Sequence, residues 1–271
     1  MITFLFWNIN RKHLQRSIAS LARRYEVDVL MLAECQIEIG ILLRELNEGR
    51  RSRYHYSPSI GCTKIEVFSQ FSREFIQPIH ESDRLTIRRL NPPGLTDILL
   101  AITHLPSKLD WSESSQAMEC IELSRSIRTA EDQVGHARTV LIGDLNVNPF
   151  EDGVVSANGL HGVMSRSIAE KGTRVVQRKP YPFFYNPMWG LFGDGTPGPS
   201  GTYYYRSAEH RAFFWNIFDQ VLIRSDLLPL FDNKELEILE SDGEVSLLSN
   251  EGLPNADATS DHLPVMFRLA L

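Results

Sequence analysis

The sequence lacks the features of several protein classes. No apolar run reaches the length of about 18 residues that a membrane-spanning helix needs. The three cysteines are scattered without a Cys-x-x-Cys pair, which argues against a disulfide framework or a cysteine-based zinc site and favours a reducing compartment. Acidic residues outnumber cationic ones, 34 to 28, and the resulting net charge of -6 disfavours broad, non-specific binding to nucleic acid.

The N-terminal apolar segment does not have the form of a targeting signal. Residues 2–7 are too few for a secretory signal peptide, and they have neither a basic start nor a small-residue cleavage site. We interpret them as a buried strand and expect a cytoplasmic, intracellular protein without a membrane segment. The chain has no internal repeat and no clean linker, so we expect a single domain over residues 1–271.

Apolar periodicity predicts a β-rich middle between strand–helix units. Apolar residues recur at helical spacing from Leu14 to Tyr25, and a second helix is expected over residues 37–46, with Gly49 as its stop. A long helix is expected after Asp110, the predicted N-cap of a capping box. Strands are predicted at residues 27–32, 65–68, 85–90, 98–103, 139–142, 218–223 and 263–269. This order suggests two sheets packed face to face with helices outside.

Residues 177–215 differ from the rest of the chain in being rich in aromatic residues, proline and glycine. The segment is too apolar for a disordered linker, because chains that stay disordered contain few aromatic residues. We therefore predict that an ordered loop or insertion spans about 177–215 and lies near a functional site.

Polar residues adjoin several apolar runs at points where the predicted strands end. They occur in the segments Trp7-Asn8-Ile9-Asn10, Leu32-Ala33-Glu34, Thr103-His104-Leu105-Pro106-Ser107, Ile142-Gly143-Asp144-Leu145-Asn146 and Ser260-Asp261-His262. Strand ends that converge on one edge commonly form an active site. The residue types are hard oxygen ligands and two histidines, which metal-assisted cleavage of a phosphate ester requires.

Four carboxylates, those of Glu34, Asp144, Asp219 and Asp261, are predicted to end core strands. A buried charge is costly unless it is paired or bound to a cation, so the set favours a divalent metal site. Mg²⁺ or Mn²⁺ would take Glu34 and Asp261 as anionic ligands, with Asn8 or water beside them. For any one of these acids taken alone, the alternative role is to cap a turn or to pair with an arginine.

Two histidines join this set because they adjoin predicted strands. His262 would activate water or stabilise charge on a phosphate, with Asp219 as its carboxylate partner, and His104 lies beside another strand. We interpret the other six histidines as core residues with satisfied hydrogen bonds.

Gly143 allows a sharp turn before Asp144 and Asn146, which lie two residues apart. An extended backbone would direct both side chains into one cavity. Asp144 could then orient an attacking water, and the Asn146 amide could hold a phosphate oxygen. An Asx-turn at a strand end is the alternative for this segment.

In their order along the chain, these segments resemble the motifs of the endonuclease/exonuclease/phosphatase superfamily. This is the DNase I-like fold, which includes apurinic/apyrimidinic endonucleases and neutral sphingomyelinases. The strongest matches are Gly143-Asp144-Leu145-Asn146 and Ser260-Asp261-His262, with secondary matches at Thr103-His104-Leu105-Pro106-Ser107 and Phe218-Asp219-Gln220-Val221-Leu222. The resemblance implies a four-layer α/β sandwich, in which helices flank two packed mixed sheets. It also implies hydrolysis of a phosphoester with Mg²⁺ or Mn²⁺.

The same resemblance implies a role for each residue of the set. The metal ligands look like Glu34, the main one, with Asn8 and Asp261. His262 looks like the general base or the histidine that polarises the phosphate, oriented by Asp219. The remaining residues look like positioning groups for water and phosphate, namely Asp144, Asn146 and His104.

The expected substrate is a nucleic acid, DNA or RNA, and the alternative is a small phosphoester or a lipid head group. A nuclease would bind the phosphate backbone through basic residues and stack bases on aromatic ones. Basic residues adjoin the motifs at Arg11, Lys12, Lys108 and Arg206. The aromatic residues of the 177–215 segment could also simply pack against the body. A catalytically inactive binding module would have no reason to retain the whole set of motif residues.

Overall fold

Two mixed β-sheets form the body of the protein, and helices flank them. The computed structural model describes residues 1–49, 53–109, 111–208 and 210–271. The helices are α1 (Gln15–Arg24), α2 (Ile39–Asn47), α3 (Glu113–Val134), α4 (Asp152–Val155) and α5 (Arg166–Ala169). The strands are β1 (Ile2–Asn8), β2 (Val29–Ala33), β3 (His55–Ser57), β4 (Ile65–Ser69), β5 (Ile76–Ser82), β6 (Leu85–Leu90), β7 (Ile98–His104), β8 (Thr139–Asp144), β9 (Gly162–Val163), β10 (Thr173–Val176), β11 (Lys179–Pro182), β12 (Phe184–Tyr185), β13 (Tyr203–Tyr204), β14 (Trp215–Asn216), β15 (Asp219–Arg224), β16 (Leu236–Ile238) and β17 (Val265–Leu269). Short 3₁₀ helices lie at Arg73–Phe75, Pro187–Leu191, Ser225–Leu230 and Asn233–Glu235.

The six-stranded sheet has the strand order β16-β17-β1-β2-β4-β3, and the seven-stranded sheet has the order β5-β6-β7-β8-β15-β12-β9. Strands β10 and β11 pair separately, as do β13 and β14. Strands β1 and β2 run parallel, as do β7 and β8, whereas β17 and β15 run antiparallel to β1 and β8. Both sheets therefore mix strand directions, which confirms the predicted pair of mixed sheets.

Side chains alternate between two cores along β7. Leu100 and Ile102 belong to the central core, which also contains Phe4 of β1 in the other sheet. Leu99 belongs to a second core, which contains Ile127 of α3. Because successive side chains of a strand point to opposite faces, one face of this sheet packs on its partner sheet and the other packs on α3. The α/β sandwich expected from the sequence is confirmed.

The polar motif residues gather at one edge because of the directions of four central strands. β1 and β8 end at Asn8 and Asp144. The expectation that Asp219 and Asp261 also end strands is wrong, because Asp219 begins β15 and Asp261 precedes β17. Since β15 and β17 run antiparallel to β8 and β1, they start at the edge where β8 and β1 end. Asp219 is thereby the direct cross-strand partner of Asp144.

The long helix α3 begins at Glu113. Its N-cap is Ser112, whose hydroxyl accepts a hydrogen bond of 3.2 Å from the backbone N–H of Ser115. The predicted N-cap, Asp110, lies outside the described residues. The helix ends at Val134 and is followed by Gly135, which adopts the left-handed conformation, with φ of +78°, that favours glycine after a helix. Of the helices in the described ranges, none is both long and apolar enough to cross a membrane.

The aromatic-rich stretch at 177–215 contains short elements of regular structure. Strand β12 lies within it and joins the seven-stranded sheet between β15 and β9. Strand β13 lies further along and pairs with β14, with Tyr203 opposite Asn216 and Tyr204 opposite Trp215. The stretch is therefore tied to the body at β12 and folds back on itself in the β13–β14 pair.

A buried ion pair attaches α3 to the seven-stranded sheet. The guanidinium of Arg224, in β15, donates to both carboxylate oxygens of Glu131, in α3, over 2.8 and 3.3 Å. It also donates to the carbonyls of Pro182 and Phe183, and it lies 3.8 Å from the centre of the Phe184 ring. Arg224 is 2% exposed, so its charge has little access to water and depends on Glu131.

We expect the substitution Glu131→Ala to lower the free energy of unfolding by about 3–5 kcal/mol, because it leaves an uncompensated charge in the interior. The matched control is Glu122→Ala on the same helix, which removes an exposed pair with Arg125 and should cost at most about 1 kcal/mol. Urea unfolding followed by circular dichroism measures both changes. Equal losses in the two variants would contradict the importance of the buried pair.

Candidate active site

Eight of the twelve predicted site residues line one cleft of about 1120 Å³ at the edge where β1 and β8 end. The motif residues that line it are Asn8, Glu34, His104, Asp144, Asn146, Asp261 and His262. Asp219 lies behind the cleft wall and is fully buried. Of the four basic residues suggested for substrate binding, Lys108 lines the cleft, whereas Arg11, Lys12 and Arg206 are not among its described lining residues.

Asp144 is held rigidly at the base of this site. Its Oδ1 accepts a hydrogen bond of 2.9 Å from the backbone N–H of Asn146, and its Oδ2 accepts one of 2.9 Å from Asn8 Nδ2. Gly143 is required just before it, because a Cβ there would lie 1.9 Å from the carbonyl oxygen of Thr103. Two donors and a tightly packed backbone thus set the direction of the Asp144 carboxylate.

Asn146 follows in the left-handed conformation, with φ of +52°, which asparagine tolerates better than most residues. Its side-chain Nδ2 donates to the carbonyl of Leu105 over 2.9 Å. That bond ties the segment after β8 to the segment after β7. One Nδ2 proton and the side-chain oxygen remain for the cleft.

His262 is oriented by a carboxylate and by its backbone. Its Nδ1 lies 2.8 Å from Asp219 Oδ2, and its backbone N–H donates to Ser260 Oγ over 3.1 Å. The indole N–H of Trp7 donates to the His262 carbonyl over 2.8 Å, and the Tyr203 ring lies 4.6 Å from the imidazole. With Nδ1 taken by Asp219, Nε2 is the ring nitrogen left for other partners.

The surroundings of His262 favour its charged form. Burial alone lowers the pKa of His262, but the negative charges of Asp219 and Asp144 and the hydrogen bond to Asp219 outweigh it and raise that pKa to about 10. Burial raises the pKa of Asp219, and attraction to His262 opposes that rise. Because Asp144 Oδ2 also lies 3.8 Å from His262 Nε2, two carboxylates flank one imidazole, which favours an imidazolium–carboxylate pair.

His104 lies between the carboxylates of Glu34 and Asp144. Its Nε2 is 3.7 Å from Glu34 Oε1 and 3.7 Å from Asp144 Oδ2. Its Nδ1 is buried without a hydrogen-bond partner among the described residues. Glu34 adopts a left-handed backbone conformation, with φ of +50°, and its Oε2 lies 3.2 Å from Arg11 Nε. Arg11 is therefore an ion-pair partner of Glu34.

Two groups of side chains could hold a metal ion. Glu34, Asp261 and Asn8 line the cleft and offer hard oxygen atoms, and Asn8 Oδ1 already accepts a hydrogen bond of 3.0 Å from the backbone N–H of Asn10. Ligand atoms of Asp144, Asp219 and His262 also lie within 4.8 Å of one another. In that second group, Asp219 and His262 already use Oδ2 and Nδ1 to bond to each other. The first group consists of oxygen donors that line the cleft, and divalent cations such as Mg²⁺ prefer ligands of this kind.

The structure adds residues that motif reasoning missed. Thr202 Oγ1 accepts hydrogen bonds from the backbone N–H groups of Phe218 and Asp219, over 3.2 and 3.1 Å, although nothing in its sequence context indicates this. His210 was expected in the core but is exposed and lines the cleft, beside Arg211. The expectation is also wrong for His13 and His55, which are exposed. The feature of the sequence that pointed to this wall of the cleft is the aromatic-rich composition of residues 177–215.

We expect Asp219→Asn to lower the pKa of His262 from about 10 toward or below its ordinary value of about 6.5. The change removes a negative charge 2.8 Å from Nδ1, so burial acts against the imidazolium with less opposition. An NMR titration of the imidazole, assigned with the His262→Gln variant, measures the shift. Asp97→Asn, which changes the carboxylate beside His136, is the control and should leave the titration unchanged. A pKa that stays near 10 after Asp219→Asn would contradict the electrostatic role of the pair.

Comparison with known proteins identifies the family of this chain. The model of the endonuclease/exonuclease/phosphatase family matches residues 5–262. No curated protein matches the chain.

Solved structures share the fold at low sequence identity. The endonuclease domain of TRAS1, a telomere-specific non-LTR retrotransposon, is 17% identical with a TM-score of 0.55, covering 100% of this chain and 99% of that one. An AP endonuclease from Archaeoglobus fulgidus is 15% identical with a TM-score of 0.56, covering 100% of both chains. The 3′ phosphatase NExo from Neisseria, bound to product DNA hairpin, is 11% identical with a TM-score of 0.57, covering 99% of both chains. With a family match over nearly its whole length, this chain belongs to the endonuclease/exonuclease/phosphatase family.

Proposed function

We propose that this protein is a divalent-metal-dependent phosphodiesterase that cleaves nucleic acid. Members of its family are phosphoester hydrolases. The observation that carries the proposal is the convergence, in one cleft, of the Asp219–His262 pair with Asp144 and with the carboxylates of Glu34 and Asp261. That combination offers both the metal ligands and the polar groups that hydrolysis of a phosphodiester requires.

Glu34, Asp261 and Asn8 would hold Mg²⁺ or Mn²⁺. Their donor atoms are oxygens, and two of the three groups are anionic. A bound ion would compete with Arg11, whose Nε lies 3.2 Å from Glu34 Oε2, for that oxygen. A bound divalent ion would polarise the phosphate and offset its negative charge.

The remaining residues would act on water and phosphate directly. Asp144 is suited to orient the attacking water and accept its proton, because Asn8 and Asn146 fix both of its oxygens. The His262 imidazolium, held by Asp219, is suited to stabilise negative charge on the phosphate through Nε2. Of the two roles expected for His262, polarisation of the phosphate fits its charge better than general base catalysis does.

The choice of nucleic acid is supported by two of the structural neighbours: one is the endonuclease domain of TRAS1, and the other is the 3′ phosphatase NExo bound to product DNA hairpin. A second candidate, a small phosphoester, is favoured by the charge of the cleft. Among its described lining residues, carboxylates outnumber permanent cations. The carboxylates are those of Glu34, Glu113, Asp144, Glu151, Asp152 and Asp261, and the cations are Lys108 and Arg211. Lys108 is further occupied by an ion pair with Glu151.

A hydrolysis assay with Mg²⁺, Mn²⁺ or EDTA tests this function on DNA, RNA, bis-p-nitrophenyl phosphate and a panel of phosphomonoesters. We expect metal-dependent cleavage of polynucleotide that Glu34→Ala abolishes. We expect kcat to fall about 100- to 10,000-fold in His262→Ala, the usual range for loss of a proton-transfer or charge-stabilising group. Asp219→Asn should cost less, because Asp219 acts through His262.

The matched controls are Glu122→Ala and His55→Ala, which change an exposed acid and an exposed histidine away from the cleft. Both should retain wild-type turnover. Wild-type activity in Glu34→Ala or His262→Ala would overturn the mechanism. Cleavage of monoesters or small diesters alone would instead identify a phosphatase or small-molecule phosphodiesterase.

A further inference from the structure

One wall of the cleft carries exposed aromatic rings that the hydrolytic site does not use. Phe213 and Phe214 line the cleft and are 56% and 46% exposed. Large apolar side chains grouped on a surface usually mark a binding site, because their exposure to water is unfavourable. These two rings lie on the same cleft as Asp144 and His262, so a molecule bound at the reactive centre has access to them.

The rings are held in place before any ligand arrives. Phe213 packs on Phe150 with ring centres 5.1 Å apart, and Phe150 in turn packs on Phe192 and Trp189. Phe214 lies 6.4 Å from Tyr204 in a stacked arrangement, and its carbonyl accepts a backbone hydrogen bond of 2.8 Å from Tyr205.

The backbone of Phe214 is also unusual. Its φ of +59° lies in the left-handed region that a bulky side chain rarely occupies. Such conformations persist where the surrounding structure imposes them, and they cluster at ligand sites. The surrounding structure therefore imposes this backbone conformation on Phe214.

The β13–β14 pair connects this aromatic wall to the reactive centre. Phe214 lies directly before β14, and Tyr203 of β13 packs on the His262 imidazole, with ring centres 4.6 Å apart. Tyr203 also stacks on Phe218, which precedes Asp219. A group stacked on Phe213 or Phe214 would thus lie next to the β13–β14 pair, whose Tyr203 packs against the His262 side chain.

Charge in the cleft argues against affinity based on the phosphate backbone. Binding a polyanion by charge requires many lysine and arginine contacts, each releasing counterions. Among the charged lining residues that the structure describes, acids outnumber lysine and arginine, and Arg211 is the cation beside the aromatic wall. Stacking on the exposed rings is an interaction available to a nucleic acid along this wall, since every base has a flat apolar face.

We propose that Phe213 and Phe214 form a stacking site for an unpaired base next to the scissile phosphate, so that the preferred substrate is single-stranded nucleic acid or an unpaired end. This inference rests on the proposed nuclease function. In a duplex each base face is covered by its neighbours, and only the base edges are presented in the grooves. Rings fixed on a cleft wall can stack only on a base that has left the duplex.

The test compares Phe213→Ala/Phe214→Ala with wild type on labelled single-stranded DNA and RNA, on the DNA annealed as a blunt duplex, and on single strands with tetrahydrofuran abasic units around the cleavage position. We expect KM for base-containing single strands to rise about 5- to 100-fold, the range for loss of stacking on one base, with kcat little changed. KM for the abasic strand should be equal in wild type and variant. The duplex should be the poorer substrate of the wild type.

Two further variants separate stacking from folding. Phe213→Tyr/Phe214→Tyr keeps the rings and should retain the wild-type KM, whereas Phe213→Leu/Phe214→Leu keeps apolar bulk without a ring and should resemble the alanine variant. Trp111→Ala removes an exposed aromatic residue that is not among the described lining residues, and it should have no effect. Thermal unfolding of each variant verifies that the fold is retained.

Either of two results would overturn the inference while leaving the nuclease function intact: an unchanged KM in both the alanine and leucine variants, or a preference for intact duplex. If wild type cleaves no nucleic acid at all, the proposed function fails. The stacking site is then judged by fluorescence anisotropy of the same strands in EDTA. Affinity that depends on the bases and is lost in the alanine variant supports it. Binding that is absent or independent of the bases overturns it.

Discussion

The site depends on how the two sheets are held against each other, because each sheet supplies half of it. Asn8 ends β1 in the six-stranded sheet and donates to Asp144, which ends β8 in the seven-stranded sheet. Asp219 begins β15 in the seven-stranded sheet and binds His262, which precedes β17 in the six-stranded sheet. Both bonds are buried, so losing either would leave polar groups without partners in the interior. The apolar core between the sheets therefore sets the geometry of the candidate site.

This arrangement concentrates negative charge where burial makes charge costly. Asp144 and Asp219 are almost completely buried and face each other across paired strands. The structure offsets them with the imidazole of His262, with His104 and with backbone and amide donors. Glu34 and Asp261 remain on the cleft side, where a divalent cation would complete the neutralisation. The negative charges of the site outnumber the nearby positive ones, which destabilises the fold. The same excess of negative charge would favour the binding of a metal cation.

Much of the fold could be predicted because its signals are local. The run over residues 2–7 became β1, the helical spacing from Leu14 to Tyr25 became α1, and the strand predicted at 98–103 became β7. The N-cap of α3 was misplaced, because several polar residues precede that helix and only the backbone geometry selects Ser112. Asp219 was assigned to the wrong end of its strand, since an apolar run carries no information on the direction in which it enters a sheet.

By itself, the sequence indicated the candidate site residues, because a carboxylate or histidine beside an apolar run is recognisable without coordinates. It also determined the family, since the ordered motifs span the chain and the family match confirms them. Tertiary structure alone decided how these residues meet: Asp219 behind His262, Arg11 on Glu34, and Phe213 and Phe214 on the cleft wall. The physical reason is that these contacts join residues far apart in the chain, and only the packing of two sheets brings them within bonding distance.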